Sequence, residues 1–141
     1  MVRYEIEKQL VNGNIKVKDL PEFWNSKMQE YLGVTPPNDT KGVLQDIHWS
    51  MGAIGYFPTY TLGNLYAAQL YAAALVDNPK IPEKIAKGEF TVLLDWMRSH
   101  IHVHGSKLLP ADLMTQATGR EPSSADFVKY LQSKYTTIYG L

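Results

Sequence analysis

Residues 61 to 77, TLGNLYAAQLYAAALVD, most tightly limit what this chain can fold into. Leucines at 62, 65, 70 and 75 and alanines at 67, 68, 72, 73 and 74 spread apolar surface over every face of a helical projection. A helix apolar all round needs neighbours on all sides, so the stretch predicts a central, buried helix inside a helical array. Asn78-Pro79 ends it. The apolar run from Leu65 to Val76 is interrupted by Gln69 and is too short for a bilayer, which takes about 18 or more residues.

The other elements read as its partners. Val2 to Leu10 reads as the end of a helix stopped by Asn12-Gly13-Asn14, and a helix this short is marginal without packing. Asp19 opens a second helix, with Pro21 in its first turn and Asp19-x-x-Glu22 resembling a capping box. Leu20, Trp24, Met28 and Tyr31 share one of its faces, and Gly33 is a C-terminal stop. Val34 to Lys41 is a loop. Pro82 to Lys87 is a short helix broken by Gly88. Phe90 to His104 follows, with Leu93, Trp96, Met97, His100, Ile101 and His104 on a single face. Pro110 to Thr118 ends at Gly119, and Ser123-x-x-Asp126 caps a last helix whose face is Phe127, Leu131, Tyr135 and Ile138. No segment reads as a strand and none repeats. The expected fold is all-α, an irregular array of about six to seven helices forming one segment over residues 1–141.

Composition narrows the function. Lys plus Arg and Asp plus Glu number 14 each, so the net charge is zero. That argues against nucleic acid or an anionic membrane as partner, because neither polyanion would be drawn to the surface. With no cysteine there is no disulfide or thiolate metal site. The first residues, Met-Val-Arg-Tyr-Glu-Ile-Glu-Lys, have no apolar core of the signal-peptide type, and the expected location is cytoplasmic.

Residues 42 to 64, GVLQDIHWSMGAIGYFPTYTLGN, are unlike their flanks. Gln45, Asp46, His48, Trp49, Tyr56 and Tyr60 stand among four glycines and a proline. One reading is a loop whose polar groups cap neighbouring helices while Trp49 fills a core gap. The other is a cleft wall. Asp46 and His48 are two apart, so in extended backbone they point the same way, and an Asp beside a His can fix its tautomer. Tyr56 and Tyr60 could be core aromatics. A phenol projecting from a glycine-rich turn into a cleft is instead a suitable donor to a developing oxyanion.

His100, His102 and His104 pose a similar choice. Residues 100 and 104 are one helical turn apart, a spacing that lets two imidazoles grip a metal. The intervening residues are not those of His-Glu-x-x-His and no third ligand is evident. Histidines in a last helical turn also suit the negative end of the helix dipole. The expectation is no metal ligand in this chain, with metal storage or sensing by the three histidines as the rival.

Gly42-x-x-Gln45-Asp46-x-His48-Trp49 resembles a signature of the thermostable carboxypeptidase (carboxypeptidase Taq) family of zinc metallocarboxypeptidases. Gly55-Tyr56-Phe57-Pro58-Thr59-Tyr60 is similar to the family's next segment. So are Arg3-Tyr4-Glu5-Ile6-Glu7-Lys8, the stretch from Asp19 to Gly33, Ile101-His102-x-His104-Gly105-Ser106, and Lys134-Tyr135 through Ile138 to Leu141. The resemblance covers essentially the whole chain and implies the C-terminal part of a larger, mainly helical enzyme.

Such enzymes release single residues from peptide C-termini. The resemblance implies a zinc or cobalt ion held by a His-Glu-x-x-His helix and a further glutamate, none of which stands in this chain. It implies that Tyr60 donates a hydrogen bond to the scissile carbonyl or the substrate carboxylate. His48, oriented by Asp46, would line the same cleft, with Gln45, Trp49 and Tyr56 shaping or orienting its wall. On this view the chain binds no cofactor itself, is inactive alone, and associates as a homo-oligomer or with a companion segment bearing the metal site. The alternative is a non-catalytic helical module that binds peptides or a partner.

Overall fold

A computed structural model describes residues 1–141, all in helices, turns and loops, with seven α-helices and no strand. Contacts divide the chain into two compact units, Met1–Thr61 and Leu62–Leu141. No helix is long and apolar enough to cross a membrane.

In the first unit, α1 (Val2–Val11) and α2 (Leu20–Leu32) pack together. Ile6 is fully buried against Trp24 and Val43, with Leu20, Phe23, Met28 and Trp49 closing the cluster. The expected face of α2 is therefore the packed one, although Tyr31 at its end keeps its ring exposed. The Asp19 capping box does not form. Asp19 closes a 3-10 turn with helical backbone (φ −92°, ψ −2°) and makes no side-chain cap bond. A capping side chain needs extended backbone to reach back to the first free N–H groups. Gly33 does end α2 in the left-handed conformation.

Beyond α2 the chain makes two short 3-10 turns, Asp39–Lys41 and Val43–Gln45. Gly42 joins them where a Cβ would lie 3.1 Å from Pro36 Cβ and 3.3 Å from Asn38 O. Any larger residue there would press on Pro36 and the Asn38 carbonyl.

The apolar helix α3 (Pro58–Asp77) starts three residues earlier than its sequence implied. Pro58 supplies the fixed φ of a first helical residue, and Thr59 Oγ1 bonds the Tyr56 carbonyl at 2.7 Å. Tyr60 thus belongs to the first turn of a helix rather than to the loop.

In the second unit, Ala74, Ile81 and Trp96 form a core with Leu70, Ala73, Leu75, Ile85, Val92, Leu93 and Met97. It joins α3 to α4 (Ile81–Ala86) and α5 (Thr91–His100). Gln69, the polar break in the apolar run, is fully buried. Its amide nitrogen donates to Thr118 Oγ1 (2.9 Å) and to the Glu121 carbonyl (3.1 Å), and its oxygen accepts from the Ser123 N–H (2.9 Å). One glutamine therefore holds the connection between α6 (Pro110–Thr118) and α7 (Ala125–Tyr139).

Complete burial of α3 is not observed. Leu62, Tyr71 and Val76 are exposed, because the neighbours within this unit reach only the Gln69, Leu70 and Ala74 side. Alanines 67, 68 and 72, with Ala117, Phe127 and Tyr130, line a groove of about 1260 Å³. α5 also ends earlier than expected, at His100, followed by a 3-10 turn over His102–His104 and by Gly105 at φ 55°. At the start of α7 the N-cap is Ser124, which makes no side-chain cap bond, while Ser123 Oγ, one residue earlier, accepts from the Ala125 N–H (3.2 Å).

Candidate active site

Four side chains of the first unit form a continuous polar series. Arg3, in the first turn of α1, places Nε 2.8 Å from Asp46 Oδ2, a close ion pair rather than a well-aligned hydrogen bond. Its guanidinium lies over Trp24 (5.2 Å to the ring centroid) and near Phe57 (5.7 Å), a partly covered aromatic seat that suits the delocalised arginine cation. The other oxygen of Asp46 accepts from the His48 ring at Nδ1 in a short contact, and from the His48 backbone N–H at 3.2 Å. His48 Nε2 then faces the Tyr60 hydroxyl at 3.2 Å.

The protonation pattern follows from these partners. Burial pushes the Asp46 carboxyl up, but the ring and backbone bonds from His48 and the charge of Arg3 outweigh it and leave it below its ordinary value. At neutral pH Asp46 is an ionised acceptor, so the ring hydrogen that meets it is on His48 Nδ1, and in the neutral imidazole Nε2 is then the acceptor. Tyr60 is the donor of the last bond. Desolvation, and then the neighbouring Tyr56 phenol, raise the Tyr60 hydroxyl above its usual value, so it holds its proton.

Aromatic packing sets the ring planes. Tyr56 stacks on His48 (5.2 Å, 25°) and meets Tyr60 edge-on (5.3 Å, 87°). Phe57 is buried beneath them, 4.9 Å from His48 and 5.7 Å from Trp49. Asp46 and His48 are half-buried, while Tyr56 and Tyr60 are 45% and 54% exposed. The series is thus most enclosed at Asp46 and His48 and ends on an accessible phenol, which can offer a hydrogen bond to a bound molecule.

Four of the six candidate residues converge: Asp46, His48, Tyr56 and Tyr60. Trp49 faces the other way, donating from Nε1 to Glu7 Oε2 at 2.8 Å. Gln45 turns to the Thr40 carbonyl (2.6 Å) and braces its own turn. Sequence reasoning missed Arg3, Glu7 and Phe57. The available signal was on α1, where Arg3 and Glu7 are four residues apart and share a helix face.

The second histidine group does not converge. His100 lies flat on Trp96 (4.4 Å, 16°), with Nδ1 2.9 Å from the Trp96 carbonyl. His104 Nε2 lies 3.3 Å from the Gln116 amide nitrogen. No three His, Cys, Asp or Glu side chains come together as a group able to hold a metal ion, so the residues here do not fit a metal centre.

Residues 1–135 match the sequence profile of the "Carboxypeptidase Taq (M32) metallopeptidase" family. The chain belongs to that metallopeptidase family. It is 46% identical over 140 residues to thermostable carboxypeptidase 1 of Thermus thermophilus and 43% identical over 141 residues to carboxypeptidase 1 of Bacillus subtilis. It spans about 28% of the length of each. Among solved structures, the M32 carboxypeptidase from Deinococcus radiodurans matches with a TM-score of 0.95 at 38% identity, over 99% of this chain and 28% of that one. Metallocarboxypeptidase 1 of Trypanosoma cruzi matches at 0.91 and 40% identity, over 95% and 28%. The all-helical fold is thus that of a portion of these enzymes.

Proposed function

We propose that the chain forms one wall of the substrate cleft in a cytoplasmic, metal-dependent carboxypeptidase that releases single residues from peptide C-termini. The segment 42–64 is its active-site element, and the chain acts as the C-terminal part of such an enzyme. The observation that carries this reading is the Arg3–Asp46–His48–Tyr60 series, built on the motif that resembles the family signature.

The chemistry follows the hydrogens. With Nδ1–H committed to Asp46, His48 at rest accepts the Tyr60 hydroxyl hydrogen at Nε2. A proton taken up at Nε2 reverses that bond. The imidazolium then donates to the phenol oxygen and frees the phenol hydrogen. Tyr60 turns it to the scissile carbonyl oxygen, or to the terminal carboxylate of the peptide, as charge builds there. Asp46 keeps the ring aimed through both states. Tyr56 shapes the wall, Trp49 supports it from behind through Phe57 and Glu7, and Gln45 braces the turn that carries Asp46.

In such an enzyme a zinc or cobalt ion, held outside this chain, would supply Lewis-acid polarisation of the carbonyl. It is held by a segment bearing His-Glu-x-x-His, and this chain alone is inactive. The chain works in association, with a second copy or with that metal-bearing segment, and a clean monomer in light scattering of the working assembly counts against this.

The test measures release of C-terminal residues from a peptide. The purified chain is assayed alone, and again after co-expression with a His-Glu-x-x-His polypeptide taken from one of the relatives. The expected result is no hydrolysis alone and metal-dependent release by the pair. Hydrolysis by the isolated chain, or an assembled pair without activity, overturns the reading.

A further inference from the structure

The motif Arg3-Tyr4-Glu5-Ile6-Glu7-Lys8 has parts with evident tasks. Ile6 is core, Arg3 meets Asp46, and Glu5 accepts from the Tyr31 hydroxyl at 2.6 Å. Glu7 has none of these tasks. It is a carboxylate only 6% exposed, on a helix otherwise buried through Ile6. No lysine or arginine pairs with it. Its two oxygens are instead divided between two donors of the glycine-jointed segment. Oε2 accepts from Trp49 Nε1 at 2.8 Å, and Oε1 accepts from the Gly55 backbone N–H in a short contact.

Those two donors stand on opposite arms of one turn. Residues 47 to 54 are closed by their own backbone bonds, from Met51 N to Ile47 O, Gly52 N to Trp49 O and Ala53 N to His48 O. The incoming arm carries His48 and the outgoing arm carries Tyr56, Phe57 and Tyr60. Gly55, at φ 81°, is the joint between the turn and the outgoing arm. Beyond that joint Tyr56 and Phe57 pack on His48 across the two arms, and the Glu7 carboxylate adds the polar tie, because it holds the indole of the first arm and the amide of the second at once.

We propose that Glu7 is a positioning residue that spans the turn and thereby sets the 3.2 Å separation of His48 Nε2 and the Tyr60 hydroxyl. It touches neither group. It acts through Trp49 and Gly55, and a carboxylate suits the task because both partners are donors and both of its oxygens are acceptors. An amide in its place presents one acceptor and one donor, so one of the two N–H groups is left facing a donor. The assignment rests on the reading of His48 and Tyr60 as the reactive pair, but its measurement is their geometry and not turnover.

The test is nitrogen NMR of the His48 ring and the Trp49 indole in the 141-residue chain. With the ring neutral, the two nitrogens of the parent chain are expected to give well-separated resonances, since Asp46 favours one tautomer. Glu7→Gln is expected to leave the helical circular dichroism unchanged, to move the Trp49 indole resonance, and to draw the His48 ring resonances together. Glu5→Gln, on the same helix but bonded to Tyr31, is the control and is expected to leave His48 unmoved. In a Trp49→Phe background, which already frees one arm, Glu7→Gln is expected to have a smaller effect on His48 than in the parent. Unaltered His48 resonances in Glu7→Gln overturn the proposal. So does an equal response to Glu5→Gln, or strict additivity with Trp49→Phe. Loss of peptide release in the co-expressed pair bears on the function of the site, whereas these resonances bear on Glu7 alone.

Discussion

His48 and His100 are built from the same parts and do different things. Each stacks on an aromatic ring, Tyr56 for His48 and Trp96 for His100, and each has a carboxylate nearby. The difference lies in what each ring nitrogen meets. Asp46 engages Nδ1 of His48, leaving Nε2 to a half-exposed phenol. His100 instead places Nδ1 on the Trp96 carbonyl of its own helix, with Nε2 3.9 Å from Asp77. The nearer partner of Asp77 is the Trp96 indole at 2.7 Å. One histidine links a charge to an open hydroxyl. The other finishes a helix end. Residue type and an acidic neighbour do not distinguish an imidazole that reaches an open hydroxyl from one that caps a helix; the partner of the second nitrogen does.

The largest expected effect follows directly. In the assembled enzyme, Tyr60→Phe should lower kcat by about 10²–10³, the usual loss for a removed oxyanion donor, with KM little changed. His100→Gln in the same assembly should leave both constants alone, and steady-state peptide release compares them. An equal loss from both variants would erase the distinction between the two histidines.

Next comes the buried amide of the second unit. Gln69→Leu keeps the volume but leaves the Ser123 N–H without its acceptor, and should cost about 1–3 kcal/mol in urea unfolding. A neutral result would mean that the connector between α6 and α7 is held otherwise.

The third effect is a pH dependence. Asp46 lies below its ordinary carboxyl value when folded, so its contribution to stability is complete above the unfolded value. That contribution is lost as the pH falls through the folded one. Asp46→Asn should therefore flatten the decline of stability below about pH 4, measured as a midpoint against pH. Glu5, also lowered through its Tyr31 bond, contributes with the same sign, so some slope remains in the variant.

The smallest effect is at the capping histidine. Asp77→Asn keeps an oxygen for the Trp96 indole and loses only its charge, for about 1 kcal/mol or less in the same unfolding measurement. A loss as large as that of Gln69→Leu would make the His100 end of α5 more than a cap.

Much of this was legible in the sequence, for reasons specific to each element. Gly33 and Gly119 mark helix ends because left-handed backbone at those points favours glycine. The three- and four-residue spacing of α2 marks its packed face for the same kind of local reason. The errors lie where a distant group decides. The Asp19 and Ser123 boxes have the right letters, but the backbone at Asp19 is already helical, and the last helix begins one residue later than the Ser123 spacing implied, with Ser124 at its start and no side-chain cap bond. Gln69 looks like an interruption until the α6–α7 connector is brought to it, across about 50 residues of chain. In the candidate site, Asp46 and His48 were readable because two residues of extended backbone aim them together. Arg3 and Glu7 were not, since they act across 43 and 48 residues on groups that their own neighbourhood does not mention.

The two donors held by Glu7 also differ in how they can be lost. The indole of Trp49 disappears with almost any single substitution at that position. The Gly55 donor is main chain, and no change of side chain deletes it except one to proline, which lacks the N–H. Mutational wear on this turn therefore falls unevenly. The arm carrying His48 can be cut loose in one step, while the arm carrying Tyr60 keeps its tether through most changes and fails instead when the backbone angle at residue 55 can no longer be reached.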